Sequence, residues 1–428
     1  MKINKMESKS LKETIYTTEL ENGLQVFFMP KAGYTKQYAV FATNYGSNDS
    51  RFIKPGESEI TSVPDGIAHF LEHKLFEEPE GSVFDKFAHL GSNVNAYTNF
   101  TSTCYLFSST DRFYDNLKLL LEFVRTPYFT DENVEKEKGI IGQEIKMYED
   151  NPHWKVFFNA LKAMYHEHPV KIDIAGTIGS IGRITKEDLY TCYNTFYTPE
   201  NMILFVVGAL DEKEVFSFIH RSIGDEAKKG KKVQRVYPKE PNTVVQSIIE
   251  EKLAVSIPLL NIAFKDNKNG LRGRELLTKD IATKILLEML FGRSSDLYMK
   301  LYEEGLINDT FEHEYTGEID YGYSMLGGES KNPRKVLDRI LDYMQEMKQK
   351  GLQKEDFERV KKKQIGQHVS YYNSIEFIAN TFVPFYFKGI HLFDYIEVLK
   401  EIQFDTVQER FLEHFHPQQC VLSMISPK

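Results

Sequence analysis

The sequence predicts an α+β fold built as a duplication, two similar halves each mixing helices with buried strands. Three observations carry this reading. Helical and strand-like patterns alternate along the chain, the same order of elements occurs twice, and a charged stretch bearing Gly and Pro separates the two occurrences. The length of 428 residues exceeds one ordinary domain, and 41% hydrophobic residues allow each half its own core.

In the first half, Tyr105 to Ser108 reads as a strand. Asn116 to Val124 then has the apolar spacing of a helix, and after a short loop Asp131 to Ile145 forms a second helix rich in Glu and Lys. The second half repeats this with the strand Y-S-M-L, the helix Val336 to Met344, a loop and the helix Glu355 to Val369. Each half closes on a Pro-marked turn and an apolar strand, F-Y-T-P-E-N-M-I-L-F-V-V-G in the first and F-H-P-Q-Q-C-V-L-S-M-I in the second. The longest apolar run, Met202 to Val207, reads as a buried strand. Between Gly224 and Asn242 the charged stretch has little apolar periodicity, and patterned sequence resumes at Val244. The expected organisation is a domain over 1–225, a linker over 226–243 and a homologous domain over 244–428.

The strongest chemical signal is G-I-A-H-F-L-E-H-K-L-F-E, Gly66 to Glu77. Pro64, Asp65 and Gly66 mark a helix start, and the next breaker is Pro79. On a helix, His69 and His73 stand at i and i+4, so both imidazoles leave one face within reach of one ion, and Glu72 leans toward the same side. Two imidazoles and a carboxylate suit zinc and leave a position open for water. A neighbouring carboxylate can then take a proton from that water. The flanking Ile67, Ala68, Phe70, Leu71, Leu75 and Phe76 predict a largely buried helix, where unpaired His and Glu would be costly. Glu132, Glu135, Glu137 and Glu144 all offer a third carboxylate ligand, and the residues by themselves do not choose among them.

H-x-x-E-H is the inverted zinc motif, and the sequence around it resembles the pitrilysin/insulinase family of metallopeptidases, which includes the mitochondrial processing peptidase. In that family the third ligand lies on a later helix with the pattern E-x-E-K/R-x-x-(I/V)-x-x-E. This chain has E-K-E-K-G-I-I-G-Q-E, Glu135 to Glu144. The resemblance places the ligand role on the first glutamate, Glu135, with Glu137 and Glu144 supporting the ligands. It implies a zinc endopeptidase with one zinc per chain and Glu72 as general base. The fold it implies is two α/β-sandwich domains, each an antiparallel-rich sheet with helices packed on it.

The segment Gly91 to Phe107 matches the family's edge strand beside the zinc, which pairs with extended substrate backbone; Asn95 and Ala96 fall on the substrate-binding positions. His168 to Ile181 and Ile184 to Tyr190 also match family spacing, and His166 and His168 read as surface or turn histidines rather than ligands. At the corresponding place in the second half, Lys279 to Gly292 holds no H-x-x-E-H. One half is therefore expected to be catalytic and one not, as in the family. Arg293, Tyr321 and Tyr323 are candidates for the family's substrate-contacting Arg and Tyr, with no convincing pairing among them. Phe291 to Tyr302 resembles a family stretch that forms a packed turn and helix start.

Two-domain members of the family pair up, so the resemblance implies a dimer around a chamber, either with a homologous zinc-free subunit or with a second copy. A net charge of −9 argues against nucleic acid as a partner. Cys104, Cys192 and Cys420 are far apart and odd in number, which fits a reducing compartment. The first ten residues are polar and no stretch has the length of a membrane helix, so the expected setting is cytoplasmic. A binding scaffold on the same fold is the rival expectation. Such members lose part of the zinc set, whereas all four key residues stand here.

Overall fold

The computed structural model describes residues 2–79, 81–224 and 233–428. The chain divides into two compact units, the first of Met1–Ile145, Asp173–Tyr237 and Tyr371–Phe387, the second of Lys146–Ile172, Pro238–Ser370 and Lys388–Lys428.

The first unit is built on a seven-stranded sheet. Its order is Asn4–Ser8, Glu13–Glu19, Gln25–Pro30, Met202–Gly208, Gln37–Thr43, Thr103–Ser109 and Asn93–Thr98. The apolar run at Met202 lies inside the sheet, parallel to Gln25–Pro30 and antiparallel to Gln37–Thr43, with every residue buried. Such a run must be covered on both faces, and the alternation of side chains shows how. Val26, Phe28, Ala39, Phe41, Leu204 and Val206 point into a core shared with the helices Ile67–Leu75, Phe113–Arg125 and Glu212–Ile223. The residues between them point the other way: Phe27 and Phe205 meet Phe382 of the helix Ile375–Phe387, with ring centroids 4.6 and 4.3 Å apart.

The second unit has a five-stranded sheet in the order Ile248–Leu253, Cys420–Pro427, Leu259–Lys265, Gly322–Glu329, Glu312–Gly317. Its first pair is parallel and the other three are antiparallel. The last five strands of the first sheet follow the same pattern, one parallel pair and then three antiparallel pairs. The duplication read from element order is thus a duplication of topology, with both units as antiparallel-rich sheets carrying helices.

The units depart from the expected boundaries. The helix Pro152–Met164, placed by sequence in the first domain, belongs to the second unit and packs on Leu259–Lys265 and Cys420–Pro427. Reciprocally, Ile375–Phe387 belongs to the first unit and covers Met202–Gly208 and Gln37–Thr43. Each helix is rich in apolar residues and follows a long helix, Asp131–Glu149 or Lys354–Tyr371. The free face of a sheet is where such a helix buries most area. Residues 226–232 of the expected linker lie outside the described residues. Of the remainder, Gln234–Arg235 pairs with Arg51–Ile53 in a small three-stranded sheet of the first unit.

Candidate metal centre and active site

The helix Ile67–Leu75 begins at Gly66, whose φ of 89° is left-handed. A Cβ there would lie 2.4 Å from the Ala175 carbonyl oxygen, and a Cβ on Gly176 (φ 74°) would lie 2.5 Å from the Asp65 oxygen. Two glycines therefore let the helix start and the D-I-A-G-T turn touch backbone to backbone, which sets where the helix enters the core. Ile67, Ala68, Phe70, Leu71 and Leu75 are buried in that core. His69, Glu72 and His73 leave from the remaining side.

The two imidazole rings lie 4.6 Å apart, tilted by 58°. Nε2 of His69 is 3.6 Å from Oε1 of Glu144, and Nε2 of His73 is 3.6 Å from Oε2 of the same carboxylate. These separations are too long for hydrogen bonds. They are close to the edge of a coordination tetrahedron, about 3.3–3.4 Å for bonds of about 2.0–2.1 Å. Among the described residues, His69, His73 and Glu144 form the group of three whose ligand atoms lie within 4.8 Å of one another. Nε2 of His69 faces Glu144, while its Nδ1 is buried without a hydrogen-bond partner. The donor set of two nitrogens and a carboxylate oxygen fits zinc.

Glu137 stands behind His73, its Oε1 3.0 Å from Nδ1. A proton on Nδ1 completes this bond and leaves Nε2 as a lone pair toward Glu144, the usual way a carboxylate orients a metal-binding histidine. Burial, assisted by the nearby His73, pulls the His69 pKa down to about 3, so its ring is neutral and able to ligate. Burial also opposes charge on His73, but the Glu137 hydrogen bond and the nearby carboxylates of Glu72, Glu137 and Glu144 outweigh it and hold the pKa above the ordinary value.

Glu135 does not join this group. Its side chain is 70% exposed and pairs with Lys138, one turn along the same helix. Helix geometry gives the reason. At 100° per residue, seven positions from Glu137 to Glu144 return to nearly the same face, whereas nine positions from Glu135 to Glu144 end on the opposite one. A helix that offers Glu137 and Glu144 to the histidines must turn Glu135 away. The structure departs here from the expectation drawn from the resemblance: Glu144, not Glu135, lies beside both histidines, and Glu137 stands behind His73. A seven-residue spacing was the signal that could have found the pair in the sequence.

Glu72 is buried at 8% exposure. Its Oε2 accepts from the Thr98 hydroxyl at 2.7 Å. Burial raises its pKa above the ordinary carboxylate value, against the lowering effects of Thr98 and His73. A raised carboxylate beside a metal position suits a group that must accept a proton near neutral pH and release it again. Thr98 ends the strand Asn93–Thr98, which pairs on one side with Thr103–Ser109 and forms the end of the sheet order. Asn95 is exposed and its side chain accepts from the Ala96 N–H, while Ala96 packs against the core. Sequence reasoning did not single out Thr98, although period-two alternation puts it on the same face as Ala96.

The second unit offers no counterpart. On its helix Gly273–Phe291, Glu288 pairs with Lys363 at 2.6 Å and with His313 at 3.4 Å, so that carboxylate is neutralised by side chains. Tyr321 and Tyr323 are buried, Arg293 is exposed and donates to the Asp309 carbonyl, and Ser295 caps the helix Asp296–Glu303. His168 is buried, its ring accepting the Val170 N–H within the turn at Pro169. No helix of the described residues is long and apolar enough to cross a membrane.

Comparison with known proteins agrees with this asymmetry. Residues 52–178 match the family described as Insulinase (Peptidase family M16), and residues 183–364 match the Peptidase M16 inactive domain. The Bacillus subtilis (strain 168) protein named "Uncharacterized zinc protease YmfH" is 43% identical over 427 residues, covering 100% of both chains. The crystal structure of an M16-like peptidase from Alicyclobacillus acidocaldarius superposes with a TM-score of 0.94 at 39% identity, over 99% of this chain and 100% of that one. A protease from Helicobacter pylori shares the fold, with a TM-score of 0.80 at 19% identity over 96% of this chain and 99% of that one. With the H-x-x-E-H helix and its facing carboxylates in the first unit and no such motif in the second, the chain belongs to peptidase family M16, the insulinase family.

Proposed function

We propose that this chain is a zinc-dependent endopeptidase that cleaves peptides or short unfolded segments, with one zinc held by His69, His73 and Glu144. The observation that carries the reading is the convergence of two imidazole Nε2 atoms on one carboxylate at tetrahedral-edge spacing, beside a buried glutamate of raised pKa. Zinc in that position would supply a Lewis acid for the scissile carbonyl and lower the pKa of an attacking water. Glu72 takes the proton from that water as its oxygen adds to the carbonyl carbon. It returns the proton to the amine nitrogen as the C–N bond breaks. The outer edge of Asn93–Thr98, including Asn95 and Ala96, receives the substrate backbone as an added strand, which gives affinity with little demand on side chains.

The active species in this reading is a dimer around a chamber, with a homologous zinc-free subunit or a second copy, and the role fits peptide processing or maturation. Three buried, unpaired cysteines support a reducing, cytoplasmic setting. The test is elemental analysis of protein purified without chelator, beside hydrolysis of internally quenched peptides, with and without a candidate partner. About one zinc per chain and peptide turnover are expected, with Glu72→Gln keeping the metal and losing turnover by roughly 10²-fold or more. A fully active Glu72→Gln, or a wild type that never retains zinc, would refute the reading.

A further inference from the structure

The Thr98 hydroxyl has one proton and two oxygen neighbours, Oε2 of Glu72 at 2.7 Å and the Thr103 hydroxyl at 3.2 Å. Thr103 is itself fully buried, and its own proton goes to the Tyr45 carbonyl at 2.9 Å. The Tyr45 carbonyl is held in place. Gly46, next in sequence, lies so close to the hairpin turn that a Cβ would be 2.3 Å from the Thr101 nitrogen. The N–H groups of Ser47 and Asn48 bond the carbonyls of Asn99 and Phe100, both at 3.0 Å. The buried Asp49 carboxylate that closes this loop accepts from Gly46 N–H, Arg235 and the Tyr237 hydroxyl. Thr103 therefore does not donate to Thr98, and of the two acceptors open to the Thr98 proton the carboxylate of Glu72 is the nearer and the stronger.

We infer that Thr98 is the positioning residue for the catalytic base: its hydroxyl ties Oε2 of Glu72 to the substrate-side edge strand and leaves Oε1 to accept the proton of the attacking water. The inference rests on the peptidase reading for what Glu72 does. A glutamate side chain has three rotatable bonds, and its two oxygens exchange roles on a half-turn of the last one. The charge-assisted hydrogen bond of 2.7 Å from the hydroxyl, beside a weaker contribution from the Thr98 backbone N–H, restricts that freedom. Because the donor sits in the strand proposed to receive the substrate backbone, base and scissile bond share one rigid element. Thr98 is therefore not a catalytic residue; it acts through Glu72.

Thr98→Val keeps the shape and the β-branch but removes the donor, whereas Thr98→Ser keeps the donor. In the zinc-loaded enzyme with an internally quenched peptide, Thr98→Val should lower kcat by roughly 10- to 100-fold with KM changed by less than about twofold, and Thr98→Ser should restore most of the rate. Zinc content and thermal midpoint should match wild type in both. Equal losses in the two variants, or a loss confined to KM, would overturn the inference while leaving the peptidase reading intact. A readout independent of turnover is the infrared carboxylate stretch of Glu72, isolated as the difference between wild type and Glu72→Gln. It should shift in Thr98→Val and not in Thr98→Ser. An unmoved band in Thr98→Val refutes the contact even in a protein that hydrolyses nothing.

Discussion

Replacing Glu144 by Gln separates the two assignments of the third ligand. The carboxylate faces both histidines at 3.6 Å, and a neutral amide is a poor zinc ligand. Zinc held by four ligands in small sites is bound by about 10–16 kcal/mol, or about 2.5–4 kcal/mol per ligand. Removing one should weaken binding roughly 10²- to 10³-fold. Glu137→Gln keeps the ligands but weakens the bond that orients His73, so a loss of about 10- to 100-fold is expected. Glu135→Gln removes only an exposed pairing with Lys138, worth about 0–1 kcal/mol, and should leave zinc affinity within about twofold. Competition against a fluorescent zinc chelator orders the three variants. The helix-face argument fails if Glu135→Gln releases zinc as readily as Glu144→Gln does.

Two further perturbations test the fold. Phe382→Ala empties the contact with Phe27 and Phe205 and should destabilise the protein by about 3–5 kcal/mol, read by chemical denaturation. An effect below about 1 kcal/mol would mean that the helix Ile375–Phe387 does not cover the first unit's sheet. Acid stability tests the second unit: burial, the largest cause in each case, lowers His168 and His368 to about 4 and His414 to about 3. These rings are neutral when folded but protonate in the unfolded chain below the ordinary value of about 6.5. Their contribution is complete above that pH and is lost as pH falls toward 4 and 3, with each ring adding a slope of about 1.4 kcal/mol per pH unit. His168→Gln should flatten the slope between those limits. An unchanged pH dependence of the denaturation midpoint would refute its neutral burial.

Much of the molecule was legible in order and spacing. The repeat of helices, turns and closing apolar strands predicted a duplicated α+β chain, because backbone patterning is local and survives divergence of side chains. The pair His69 and His73 with Glu72 was readable for the same reason, since a spacing of four residues on one helix fixes their mutual geometry before any tertiary contact forms. The absence of that motif in Lys279 to Gly292 was equally local.

Tertiary structure decided the rest. Which glutamate faces the histidines depends on how the helix Asp131–Glu149 is rotated against Ile67–Leu75; the seven-residue spacing records that Glu137 and Glu144 share a face, but not that this face meets the histidines. The exchange of Pro152–Met164 and Ile375–Phe387 between the halves was also hidden: an apolar helix declares that it will be buried, not which sheet it will cover. Thr98 gained its meaning only when its strand met the helix bearing Glu72, 26 positions away. Contacts within one element follow from its periodicity, whereas contacts between elements are chosen by the packing of the whole chain.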